Sequence, residues 1–206
     1  MAAFHRKSSH RSDKSPLPRL WLFTDERIAD AGILSAIARM PRGSGIVFRH
    51  YATQGAKRTA LFARIQKMAQ RQGLMLVAGG QAQGIYATAD GIHISLRRGK
   101  MPMRATYRNV TMSGHNLREI ARANRLGANL IFLSPVFATR SHPDQRSLGP
   151  MRFATLARHA QMPVIALGGM NARRFQRIAA SGCHGWASID ALTQAGGKQP
   201  VTRTRI

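Results

Sequence analysis

The chain has 206 residues, with 32 lysines and arginines against 8 aspartates and glutamates, a formal charge of +24. That length suits one domain with a real core and lies near the short end for a complete (β/α)8 barrel. The lone cysteine, Cys183, excludes an internal disulfide, and no apolar run reaches the length of a membrane span.

Residues 1–17 are rich in Ser, His, Lys and Arg, with almost nothing apolar to bury, and are expected to form a disordered basic tail. Their charges lead into no apolar core of the kind a secretory signal needs, so the expected location is the cytoplasm. From Leu20 a regular alternation begins. Strands are expected at Leu20–Thr24, Gly45–Arg49, Leu74–Ala78, Gly91–Ser95, Val110–Ser113, Leu130–Ser134, Val164–Leu167 and Gly185–Ser188.

Helical patterns lie between them. Leu61, Ile65 and Met68 share one face of a helix from about Gly55 to Gln72, Leu117, Ile120 and Ala121 share another, and Phe175, Ile178 and Ala179 a third. Asn116 with Glu119 three residues on resembles a capping box, and Asn171 can cap the helix after Gly169. Gly73, Gly127 and Gly182 each read as helix stops before a strand. The crossovers after Ala78 and Ser95 are weak, holding Gly79-Gly80 and Arg97-Arg98-Gly99-Lys100.

Eightfold strand–helix alternation predicts an α/β fold of one domain, a (β/α)8 TIM barrel over 18–194, with 195–206 a basic C-terminal tail. A doubly wound open sheet is the alternative, but no G-x-G-x-x-G follows the first strand. The positive charge would concentrate polyanions near the surface. However, the basic residues are scattered over nearly every helix, with no aromatic stacking platform, so specific nucleic-acid binding is not expected.

In a barrel, chemistry sits on the loops after the strands. Two late turns, Gly168-Gly169-Met170-Asn171 and Ser188-Ile189-Asp190, follow apolar runs and precede helix-like stretches, so they offer backbone N–H groups to a phosphate. Arg49 ends the second strand, where a guanidinium could grip a phosphate bidentately. His115, two residues after Ser113, is placed to act as general acid or base or simply to hydrogen-bond in its loop. Thr139, Ser141 and His142 follow Pro135-Val136-Phe137 in a loop whose hydroxyls could hold a diphosphate. Carboxylates suited to Mg²⁺ are scarce near the strand ends, and neither an H-x-x-x-H pair nor a Cys cluster offers a zinc site.

Taken in order, LWLFTD at 20–25, ADGIHIS at 89–95, SGH at 113–115, GANLIFLSPVFATRSH at 127–142, MPVIALGG at 162–169 and GWASIDAL at 185–192 resemble the thiamine phosphate synthase / TenI family. The resemblance implies a (β/α)8 barrel. In the synthase, a pyrimidine methyl diphosphate loses pyrophosphate with Mg²⁺ help, and the nitrogen of thiazole phosphate captures the pyrimidine cation. It implies roles for Gly169 and Ser188 in the thiazole phosphate cradle, for Arg49 on the pyrimidine side, for Ser113 after the fifth strand, and for Thr139 and Ser141 in the sixth loop.

The chain also departs from the family. The glutamine-x-arginine-x-lysine motif keeps only Arg49, reading Val47-Phe48-Arg49-His50-Tyr51. The Asn-Asp pair after the third strand becomes Ala78-Gly79 or Gly79-Gly80, the second metal aspartate falls on Arg98, and the sixth-loop lysine is His142. Mg²⁺ is thus expected of the family while its carboxylate ligands are missing, and Arg97 and Arg98 are candidate diphosphate contacts in their place. These readings favour a synthase-type enzyme with a divergent metal site. A TenI-like thiazole tautomerase with His115 as proton shuttle, or a catalytically silent thiazole phosphate-binding or regulatory protein, are the alternatives. A homo-oligomer is compatible with all three.

Overall fold

The eight apolar segments become eight parallel strands, and the last pairs with the first to close a barrel. The computed structural model describes residues 16–80, 85, 88–96, 107–139 and 146–194. In chain order the elements are β1 (Leu20–Phe23), α1 (Asp30–Ala38), β2 (Gly45–Phe48), α2 (Gly55–Gln72), β3 (Met75–Gly79), β4 (Gly91–Ser95) and β5 (Val110–Gly114). There follow α3 (Leu117–Arg125), β6 (Leu130–Leu133), α4 (Gly149–Ala157), β7 (Val164–Ala166), α5 (Ala172–Ile178), β8 (Gly185–Ser188) and α6 (Asp190–Thr193).

Strand ends differ from the expected ones by one residue at most. Arg49 falls beyond β2 because its N–H donates to the Thr24 side chain (3.0 Å) instead of a strand carbonyl. Among the described residues no helix follows β3 or β4, and most of both crossovers lies outside them.

Alternation along each strand sorts side chains between the barrel interior and the helix layer. Trp21, Phe23, Val47, Val77, Leu130, Phe132, Ile165 and Ala187 pack together inside. Trp21 fills the lower end, where it stands against Gly45 in register, and any Cβ at Gly45 would overlap its ring. Above it the Phe132 ring meets Trp21 edge-on at 5.3 Å and Phe23 at 4.7 Å. Outward-facing Ile92, Ile94, Met112, Ile131 and Leu133 join α3 and α4 in one outer core, and Leu22, Ile46, Phe48 and Leu76 join α1 and α2 in another.

The helix signals hold with three corrections. α2 buries Leu61, Phe62, Ile65 and Ala69 and ends at Gly73, whose φ of 63° lets Leu74 N–H close onto Ala69 O (2.8 Å). Gly127 and Gly182 adopt φ of 65° and 77° in the same role. On α3, however, the buried face is Ile120 and Ala123; Leu117 is 50% exposed and Ala121 only half-buried. In the first turn of α3 it is Ile120 that reaches the outer core, while Leu117 faces away from it. On α5 only Ile178 is fully buried, because Ala179 already belongs to a 3-10 turn that carries it to the surface. Asn116 does cap α3, accepting from Glu119 N (3.0 Å), but the Glu119 carboxylate reaches back one residue further, to His115 N (2.8 Å). No helix among the described residues is long and apolar enough to cross a membrane.

Candidate active site

The C-terminal ends of the strands open into a cavity of about 1030 Å³, floored by Phe23 and His93. Arg49, Ser113, His115, Thr139, Gly168, Gly169, Ser188 and Ile189, from five different strand ends, all line it. Arg97, Arg98, Ser141 and His142 lie outside the described residues, as do residues 1–15 and 195–206.

One wall is made of backbone. Gly168 and Gly169 take φ of 89° and 61°, a conformation that a side chain would strain. There is no room for one either: a Cβ at Gly168 would lie 2.6 Å from Pro135 Cα, and one at Gly169 would overlap Ala138 O. The loops after β6 and β7 are laced together here, with Val136 N–H donating to Leu167 O (2.9 Å) and Phe137 N–H to Gly168 O (3.1 Å). Beside them Ser188 Oγ accepts from Ala191 N (3.1 Å) at the start of α6, and among the described residues its own proton has no acceptor. Asn171 caps α5 by accepting from Arg174 N (2.8 Å). The Arg174 guanidinium bonds Gly169 O and lies over the Phe137 ring, 5.0 Å from its centroid.

The floor holds a residue the sequence reading missed. His93 is 4% exposed and meets the Phe23 and Phe132 rings edge-on, each at 5.4 Å. Thr111 donates its hydroxyl proton to Ile92 O (3.2 Å), so its oxygen must accept from His93 Nδ1–H (3.0 Å). That fixes the tautomer: His93 Nε2 is the acceptor, and Ser113 Oγ–H donates to it at 2.9 Å. Ser113 therefore offers only lone pairs to a ligand. Burial, helped by the Arg49 charge, pushes the His93 pKa down to about 3, so the ring stays neutral. Strand parity carried the signal: with Ile92 and Ile94 facing the helices, position 93 has to face inward.

A second wall, after β1, β2 and β3, is made of charged side chains. Asp25 receives Arg27 bidentately (2.8 and 3.1 Å) and Arg49 Nη2 at 3.0 Å. Burial alone would raise the Asp25 pKa, but the Arg27 hydrogen bonds and the Arg49 and Arg27 charges outweigh it and hold the carboxyl below its ordinary value. Glu26 is likewise lowered, its burial outweighed by hydrogen bonds from the Thr53 N–H and hydroxyl. Arg49 also donates to Thr24 O (3.3 Å) and lies over Phe23, 5.2 Å from the ring centroid. The expected ligand-gripping arginine thus enters the mouth already engaged by an aspartate, a pairing across strands that no local pattern reveals.

The Mg²⁺ implied by the resemblance does not fit this wall. Where the family carries Asn-Asp after the third strand, Tyr51 packs on Gly79 and Gly80, and Cβ atoms there would lie 2.9 and 2.7 Å from its side chain. Buried Arg58, stacked on Phe48, donates to Gly79 O at 2.8 Å. Among the described residues no three His, Cys, Asp or Glu side chains gather closely enough to hold a metal ion. The nearby carboxylates, Asp25 and Glu26, are already spoken for by arginines and by Thr53.

Between the two walls stands His115. Its Nδ1 lies 2.7 Å from Ser134 O, and a carbonyl can only accept, so Nδ1 carries a proton and Nε2 is the nitrogen left to face a ligand. Thr139 lines the cavity above it, on the loop that continues into the undescribed residues.

Residues 20–192 match the family model described as thiamine monophosphate synthase. The thiamine-phosphate synthase of Chloroflexus aurantiacus is 26% identical over 189 residues, 86% of each chain. That of Leuconostoc citreum is 26% identical over 201 residues, covering 89% of this chain and 92% of the relative. Among solved structures, thiamine phosphate pyrophosphorylase from Pyrococcus furiosus superposes with a TM-score of 0.73 at 18% identity, over 88% of this chain and 90% of that one.

Proposed function

The chain belongs to the thiamine monophosphate synthase family, and on that premise we propose that it joins a pyrimidine methyl diphosphate to thiazole phosphate. The C–O bond to the diphosphate breaks, pyrophosphate leaves with the electron pair, and the thiazole nitrogen lone pair forms the new C–N bond. The observation that carries this reading is convergence: the two late turns, Ser113 and Arg49 line one cavity large enough for two small ligands side by side.

The turns at Gly168-Gly169 and Ser188-Ile189 hold the thiazole phosphate through backbone N–H groups and the Ser188 hydroxyl. Ser113, its proton committed to His93, accepts a hydrogen bond from an N–H group of a ligand ring. Arg49 stabilises the charge that builds on the departing diphosphate, together with Thr139, Ser141 and His142 from the sixth loop and Arg97 and Arg98 from the fourth. No step is drawn through Mg²⁺, since the wall that would hold it carries Tyr51 and arginines instead.

The test is thiamine phosphate formation from the two substrates, with Mg²⁺ and with EDTA. Turnover in both supports the arginine-lined site. Turnover in Mg²⁺ alone keeps the reaction and overturns the metal-poor site. Absence of turnover in folded protein that binds thiazole phosphate overturns the synthase reading. The tautomerase reading then takes its place, since His115, held through Nδ1 on Ser134 O, presents Nε2 to move a proton on a thiazole carboxylate phosphate.

A further inference from the structure

Resting on the assignment of a phosphate to the Gly168-Gly169 and Ser188-Ile189 turns, we propose that Arg174 is a second, side-chain clamp on that phosphate. It would make the pocket selective for a phosphorylated ligand over the corresponding alcohol. Arg174 lines the same cavity as Gly169, Ser188 and Ile189. One of its nitrogens, Nη1, is fixed on Gly169 O, and the guanidinium plane rests over Phe137. Among the described residues no carboxylate or carbonyl engages Nε or Nη2, whereas Arg27 and Arg49, after β1 and β2, are both engaged by Asp25.

An arginine held at one corner and free at the others is pre-organised for bidentate contact with a phosphate. Anchoring costs little rotamer freedom when the ligand arrives, because the Gly169 carbonyl and the Phe137 ring have already restricted the side chain. The contact also ties recognition to assembly: Arg174 joins the loop after β7, through Gly169, to the loop after β6, through Phe137. A phosphate at this spot would meet neutral backbone donors on one side and a permanent cation on the other. Neutral amides alone would separate a phosphate ester from its alcohol less sharply.

Calorimetric titration of folded wild type, Arg174→Gln, Arg174→Lys and Arg177→Gln tests the clamp, with inorganic phosphate, thiazole phosphate and the thiazole alcohol as probes. The expected result is an affinity loss of about ten- to a hundredfold for both phosphate probes in Arg174→Gln, partly restored in Arg174→Lys, with alcohol binding unchanged. Exposed Arg177, one turn further along α5, should matter by less than about twofold, its effect being screened long-range charge. Unchanged phosphate affinity in Arg174→Gln overturns the clamp. Equal weakening of phosphate and alcohol also overturns it, showing that Arg174 only supports the Gly169 turn. Arg174-dependent binding of inorganic phosphate without thiazole phosphate binding supports the clamp and sinks the thiazole assignment instead. Absence of binding by both phosphate probes in wild type overturns the two together.

Discussion

The two walls of the mouth are built of different materials. On the β7–β8 side the lining is mostly main chain, with Ser188 and Arg174 beside it, held where it is by glycines that tolerate no side chain and by hydrogen bonds between loops. On the β1–β3 side it is side chains, and those side chains are engaged: Asp25 with Arg27 and Arg49, Tyr51 over the glycine turn, Arg58 on Gly79 O. A backbone site survives as long as its turn is kept, whatever the neighbouring side chains become. A side-chain site changes its chemistry with a few substitutions, and here Tyr51 and Arg58 occupy the turn after β3.

Breaking the backbone wall should have the largest effect. Gly169→Ala meets both a φ of 61° and the Ala138 carbonyl, so it should cost about 2 kcal/mol or more of stability and abolish detectable thiazole phosphate binding. Urea unfolding and calorimetry would read the two losses. Retention of wild-type affinity would show that the phosphate does not sit at this turn.

Next comes Arg49→Gln, expected to lower kcat/KM for the pyrimidine diphosphate roughly a hundredfold while leaving thiazole phosphate affinity within about twofold. Steady-state kinetics with each substrate varied in turn separates the walls. Equal losses on both would mean they act as one unit.

The floor gives a pH signature. His93 titrates near 3 in the fold against an ordinary value of 6.5, so between those values the unfolded chain takes up a proton that the barrel excludes. Stability should therefore fall as pH drops below about 6.5, by about 1.4 kcal/mol per pH unit from this residue. His50, lowered mainly by burial, adds in the same direction. Urea midpoints at pH 7 and pH 5 should differ clearly in the wild type and less in His93→Gln. An equal pH slope in the variant would remove the effect from His93.

The smallest effect tests whether Tyr51 and the glycines go together. Gly79→Asp should be destabilising alone and better tolerated beside Tyr51→Ala, with a coupling energy of about 1 kcal/mol in a double-mutant cycle. Simple additivity would mean that the tyrosine does not close the metal position.

Local chemistry made the barrel legible before any coordinates. Eight short apolar runs, glycines after helices and asparagine caps are each decided within a few residues, and all of these appear where the pattern put them. The candidate residues of the two late turns, with Ser113, His115, Thr139 and Arg49, were legible for the same reason: each sits at a strand end, and a barrel gathers its strand ends into one mouth. Leu117 and Ala179 were misjudged because spacing says which residues share a helix face, and neither which of them the core reaches nor where the α-helix gives way to a 3-10 turn.

What the sequence by itself determined is the alternation, hence the closed parallel sheet, the family, and the ring of strand ends where chemistry must sit. Only the tertiary structure decided what those residues do to one another. Arg49 pairs with Asp25 from the neighbouring strand, Ser113 donates to His93 across the floor, and Arg174 reaches Gly169 and the Phe137 ring. Periodicity is a property of neighbours in the chain, whereas a side chain's charge, tautomer and freedom to meet a ligand are set by partners that barrel closure brings from other strands.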